Sequence, residues 1–110
     1  MCLFCQIVKK EIPASVIYED EGILVFKDIA PKADIHLLFI PKKHIKDLYS
    51  IKEEDKEVLS HLLLKIPDIA KELGVDYFRI ITNSGTKAGQ VVFHLHFHFL
   101  SGENMPKAHV

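Results

Sequence analysis

Phe93-His94-Leu95-His96-Phe97-His98-Phe99-Leu100 is the stretch whose reading decides the fold. Side chains on a β-strand alternate between faces. A strand here puts His94, His96 and His98 on one face and Phe93, Leu95, Phe97 and Phe99 on the other. The apolar face is then expected to pack on a core, and the imidazole face to look into a cleft. A helix would smear the same residues around a cylinder, so its period does not fit.

Working outward, Asn83-Ser84-Gly85-Thr86-Lys87-Ala88-Gly89-Gln90 reads as a Gly-bearing turn that runs directly into the histidine strand. Before it, Asp76 to Thr82 reads as a fourth strand. Ser50 is expected to cap a long helix from Ile51 to Leu73, with Glu53, Glu54 and Asp55 in its first turn, where the helix dipole favours acids. Leu59, Leu62, Leu63, Ile66, Ile69, Ala70 and Leu73 form its apolar stripe. Pro67 is expected to kink it, and Gly74 to stop it. Further upstream, Ser15 to Glu19 and Ile23 to Lys27 read as a hairpin across Asp20-Glu21-Gly22. His36 to Ile40 reads as a third strand closed by Pro41, and Leu3 to Lys10 as a short helix ahead of Pro13. The tail from Ser101 reads as irregular. Short connections favour antiparallel pairing. The expected fold is α+β, with a five-stranded antiparallel sheet, one long helix and one short helix, in a single domain over 1–110.

At 110 residues and 48% hydrophobic content, the chain has material for one core. Its formal net charge of −1 gives no basic field for a nucleic-acid polymer. Met1 to Lys10 lacks a long apolar run, and no stretch approaches membrane-spanning length. An intracellular, cytoplasmic protein is expected.

Three evenly spaced histidines admit three readings. They are half-buried strand residues, or ligands of one catalytic metal, or parts of a nucleophilic site. Strand positions two apart differ by about 6.6 Å and positions four apart by about 13 Å. Zinc–nitrogen bonds are about 2 Å long. His94 and His98 therefore reach one metal only with distortion, and at least one histidine has another task. A neutral imidazole is a nucleophile near pH 7 and can bond to phosphorus. A second imidazole can bind the phosphate or move a proton. The glycines of the 83–90 turn let backbone amides approach an anion.

Cys2 and Cys5, spaced C-x-x-C, are a metal pair, a redox pair or two free thiols. The strand expected before a thioredoxin-like motif is missing. A structural zinc needs four nitrogen or sulfur ligands, and histidines are plentiful.

The run His94-Leu95-His96-Phe97-His98-Phe99-Leu100 resembles the H-φ-H-φ-H-φ-φ signature of the histidine triad (HIT) family, where φ is apolar. Phe26-Lys27-Asp28-Ile29-Ala30-Pro31, His36 to His44, Asn83 and Ala88-Gly89-Gln90 follow that family's order and approximate spacing. Phe4, Ile7 and Glu11-Ile12-Pro13 are similar to its Hint branch. The resemblance implies hydrolysis of a purine nucleotide conjugate at the α-phosphate, such as a phosphoramidate or a dinucleoside polyphosphate. His96 would be the nucleophile, His98 would contact phosphate and assist proton movement, and His36 would support the triad. Asn83 and the backbone near Gly89 and Gln90 would hold phosphate or leaving group. Asp28 would bind the ribose hydroxyls, and Phe4, Ile7, Phe26 and Ile29 the purine. Some bacterial and archaeal-type members carry the same N-terminal cysteine pair. Likeness to them implies a structural zinc on Cys2, Cys5, His44 and His94, stapling the first helix to the sheet. The family also implies a homodimer joined through the long helix and the fourth strand.

The chain departs from the Hint pattern at Val91, where that branch commonly has a hydroxyl, and in a tail without tryptophan. A nucleotide-binding module with little turnover is the alternative to a hydrolase. A zinc hydrolase using the triad as ligands is a third hypothesis. His61 and His109 are expected to have no role.

Overall fold

The structure, a computed structural model, describes residues 2–106; the expectation for His109 lies outside them. A short helix α1 (Leu3–Val8) leads into the strands β1 (Val16–Glu19), β2 (Ile23–Lys27) and β3 (Ile35–Pro41). A long helix α2 (Lys56–Leu73) then precedes β4 (Arg79–Ile81) and β5 (Phe97–Ser101). The five strands form one sheet in the order β1-β2-β3-β5-β4, antiparallel throughout.

Alternation along the strands builds two apolar layers. Ile23, Val25, Leu37, Phe39, Phe97 and Phe99 face α2 and pack against Leu62, Ile66, Ile69 and Ala70. Leu24, Phe26, Leu38 and Ile40 face the other way and pack against Phe4 and Ile7 of α1. His98 lies opposite Leu38 on one side and Ile81 on the other, so it belongs to the α1 face. His36, opposite Leu100, joins it there.

Several expectations are corrected. The helix begins at Lys56, after two 3-10 turns over Leu48–Ser50 and Glu53–Asp55. Ser50 does not cap it. Asp47 Oδ1 accepts both the Ser50 amide (2.9 Å) and the Ser50 hydroxyl (2.8 Å), so a buried carboxylate uses the donors first. Two members of the expected stripe, Leu63 and Leu73, are 52% and 40% exposed, because they lie to the side of the Leu62–Ile66–Ile69 line. Pro67 sits on the exposed side of an uninterrupted helix, and Gly74 ends it in the left-handed region at φ 73°. β4 is shorter than expected, covering three residues.

A further correction concerns the deciding stretch. Only Phe97 onward is strand; residues 91–96 are irregular. The ladder with β3 stops at Phe39–Phe97, and Pro41 beyond it has no N–H to continue. Leu95 N–H instead reaches the Ile45 carbonyl at 2.6 Å. Phe93 is consequently 41% exposed rather than in the core, with the Lys46 ammonium 6.0 Å from its ring centre.

Candidate active site

Hydrogen bonds set the tautomer of His36, His96 and His98. The Lys32 amide donates to His36 Nδ1 at 3.0 Å, so a neutral His36 carries its proton on Nε2. That nitrogen lies 2.9 Å from His98 Nδ1, which must accept, leaving the His98 proton on Nε2. Asp28 Oδ2 stands 3.5 Å from the same His36 nitrogen. His96 Nδ1 is 2.7 Å from the His94 carbonyl and must donate to it. The lone pair of His96 is therefore on Nε2. The rings of His96 and His98 are 4.9 Å apart, so a nitrogen lone pair and an N–H donor stand side by side. Thr82 Oγ1 donates to the His96 carbonyl at 2.8 Å and fixes the backbone behind the ring.

Burial holds these rings neutral. It lowers the pKa of His96 against the opposing hydrogen bond to the His94 carbonyl. It also lowers that of His36, with Asp28 opposing. His98 is pushed down to about 4, by burial first and then by His96 and His36. A histidine whose folded pKa lies below its unfolded value of about 6.5 binds fewer protons in the native state. The stability it supports is complete above the unfolded value and is lost as pH falls toward about 4. Urea unfolding at about pH 7.5 and about pH 5 is expected to show wild type losing stability on acidification and His98→Asn losing clearly less.

Beside the histidines lies a groove of about 670 Å³. Phe4, Ile7, Phe26, Asp28 and Ile29, the five residues expected to form the base and ribose subsite, all line it. Ile29 stands at its rim, 99% exposed. Asp28 Oδ1 accepts the Ala30 amide at 2.8 Å, so an Asx turn aims the carboxylate. Leu3, Leu38, Val92 and the segment 12–15 also line the groove but were not singled out from the sequence. Leu38 was legible, being two residues after His36 on the same strand face. The 12–15 segment carries no local signal; the path of the chain after α1 brings it there.

The 83–90 turn is closed by its own amides and tied to the 46–48 segment through Gln90 and Ser84. Gly85 and Gly89 have φ of 94° and 99°, conformations that need glycine. The amides of Ala88, Gly89 and Gln90 close onto the Gly85 and Thr86 carbonyls. The Gln90 side chain is buried, accepting the Gly85 amide and donating to the Lys46 and Val92 carbonyls. These groups hold the turn together. Asn83 is half-buried, with its amide nitrogen near Gly89, and Val91 is 82% exposed.

Cys2, Cys5, His44 and His94 bring four ligand atoms within 4.8 Å of one another. Cys2 Sγ and Cys5 Sγ each lie 3.5 Å from His94 Nδ1, and Cys5 Sγ lies 3.3 Å from His44 Nδ1. A tetrahedral zinc with bonds of about 2.3 Å to sulfur and about 2.0 Å to nitrogen separates neighbouring S and N ligands by about 3.5 Å. The donor set therefore fits zinc in kind and spacing. His94 Nε2 donates to the Pro41 carbonyl at 2.7 Å, which turns the Nδ1 lone pair toward the thiols. This buried histidine has left the other two, as the distance argument required. Asp28, His36 and His98 also bring their donor atoms within 4.8 Å. There, however, His36 Nδ1 accepts the Lys32 amide, so its Nε2 carries hydrogen and offers an ion no lone pair. That set is a hydrogen-bond relay. His61, on α2, bonds to Asp20 at 2.5 Å, away from both sites.

Known proteins resemble this chain along nearly its whole length. The family model described as "Scavenger mRNA decapping enzyme C-term binding" matches residues 1–109. A HIT-like protein of Synechocystis sp. is 48% identical over 101 residues, covering 91% of this chain and 89% of that protein. Among solved structures, a HIT family hydrolase from Clostridium thermocellum superposes with a TM-score of 0.92 at 41% identity, over 99% of this chain and 96% of its own. A histidine triad protein from Clostridium difficile does so at 0.91 and 43%, over 98% and 96%. With these likenesses spanning the fold, the chain belongs to the histidine triad family.

Proposed function

We propose that this chain is a hydrolase that cleaves purine nucleotide conjugates at the α-phosphate through a nucleotidyl-histidine on His96. The observation that carries this reading is the tautomer pattern: His96 offers a bare Nε2 beside a His98 that offers an Nε2 proton. In the first step His96 Nε2 bonds to phosphorus, the bond to the leaving group breaks, and the leaving group takes a proton from solvent. His98 Nε2–H donates to the phosphate and assists that transfer. Water then attacks phosphorus, its oxygen stays on the nucleotide, the N–P bond breaks, the released proton returns to solvent, and neutral His96 is regenerated. Asp28 would hold the ribose, and the apolar groove beside it would hold the base. Asn83, whose amide nitrogen lies near Gly89, would border the leaving group.

The experiment is mass spectrometry of enzyme quenched during turnover of an adenosine phosphoramidate, under conditions that preserve acid-labile adducts. The expected result is one nucleoside monophosphate on the peptide containing His96. No adduct, with turnover verified in the same sample, sinks the mechanism. A second reading, a binding module with little turnover, is favoured by Val91, whose side chain has no donor for a departing group. Tight AMP binding with no cleavage across a nucleotide panel would select it.

The four-ligand cluster would hold one Zn²⁺ in a structural role, since four protein ligands leave no position for water. In a homodimer, the open edge of β4 and the exposed Leu63 and Leu64 of α2 (52% and 70%) would form the seam. Sedimentation is expected to give a mass of two chains, and Leu64→Glu a mass of one. A wild-type mass of one chain would discard the dimer.

A further inference from the structure

One turn of helix carries parts of both sites. Cys2 is the N-cap of α1, and its Sγ accepts the Cys5 amide at 3.4 Å. Between these two metal-site thiols sit Leu3 and Phe4, and both line the groove. Phe4 is 5% exposed. Its ring meets three partners edge-on: His94 of the four-ligand cluster at 6.0 Å, His96 at 5.1 Å, and Phe26 of the groove at 5.5 Å. α1 has only six residues, far below the length at which a helix is stable alone. Its seat depends on what it is tied to. His94 is wholly buried and fixed to the Pro41 carbonyl, whereas Cys2 and Cys5 are half-buried and His44 is exposed. The exposed side of the cluster is therefore where a metal would enter or leave, and the helix it would tie down carries part of the groove wall.

From this geometry we infer that metal in the four-ligand cluster and nucleotide in the groove bind cooperatively, with Phe4 as the coupling residue. The inference rests on the nucleotide reading above and adds regulation of the same site. Each ligand favours the same position of α1, so each tightens the other, and linkage makes the two factors equal. A coupling of about tenfold lies within the range usual for two sites that share one element.

The test uses the zinc-loaded protein. Zinc is competed away with a chromophoric chelator, with and without saturating AMP, and AMP affinity is measured by calorimetry on the loaded and the chelated forms. The expected result is about tenfold tighter zinc with AMP present, and an equal gain in AMP affinity with zinc present. In Phe4→Leu the factor is expected to fall toward one while both ligands still bind. Cys2→Ser retains a helix N-cap, because serine is a strong one, and is expected to weaken zinc and AMP in parallel. Equal AMP affinities in the two forms overturn the coupling alone. Loss of the sheet's circular-dichroism signal on chelation overturns the local route through Phe4. No AMP binding by either form overturns the nucleotide reading and the coupling with it.

Discussion

His96→Ala is expected to lower turnover of an adenosine phosphoramidate by at least about ten-thousandfold, with AMP affinity changed only a few-fold, because removing a covalent nucleophile costs far more than removing a binding contact. The asymmetry follows from where the ring stands. The side chains that line the groove do not include His96, so the pocket for base and ribose keeps its walls when the ring is lost. The bond to phosphorus, by contrast, has no substitute donor. His94 is turned toward the cysteines, and His98 Nδ1 accepts from His36. His98→Ala is expected to be milder, at about a hundredfold to ten-thousandfold, as befits a group that binds phosphate and assists a proton. Steady-state kinetics with calorimetric AMP binding checks both. Turnover retained in His96→Ala would assign the chemistry elsewhere.

His94→Ala is expected to do something different: to abolish stoichiometric zinc and to lower the melting temperature by about 12 °C or more, corresponding to about 3 kcal/mol in a domain of this size. Three effects combine. A structural zinc site needs four ligands, and this change leaves three. The Pro41 carbonyl loses its only side-chain donor among the described residues. Phe4 and His44 lose the ring they meet edge-on at 6.0 and 5.1 Å. Metal analysis and thermal unfolding read the two losses separately. Unchanged zinc content would show that His94 is not a ligand.

The two variants, two strand positions apart by simple counting, are expected to act on different properties because the backbone between them is not a strand. Residue counting places His94, His96 and His98 on one face. In the structure, Pro41 ends the ladder, and His94 folds away to bond with the Pro41 carbonyl. The distance argument foresaw that one histidine must leave the set. It could not show which backbone group would hold each ring, because those groups come from residues about 50 positions away or from loops.

The amino-acid sequence by itself determined the fold class, the strands over Ile23 to Lys27 and His36 to Ile40, the glycine stop at Gly74, and the residue types gathered at both sites. These are local matters of period, φ and donor chemistry, and they need no partner to be read. Tertiary structure alone decided which nitrogen of each imidazole bears the proton, where α2 begins, and that Phe4 touches both clusters. Those outcomes depend on which distant donor reaches a shared acceptor first, and proximity in space is not written in proximity along the chain.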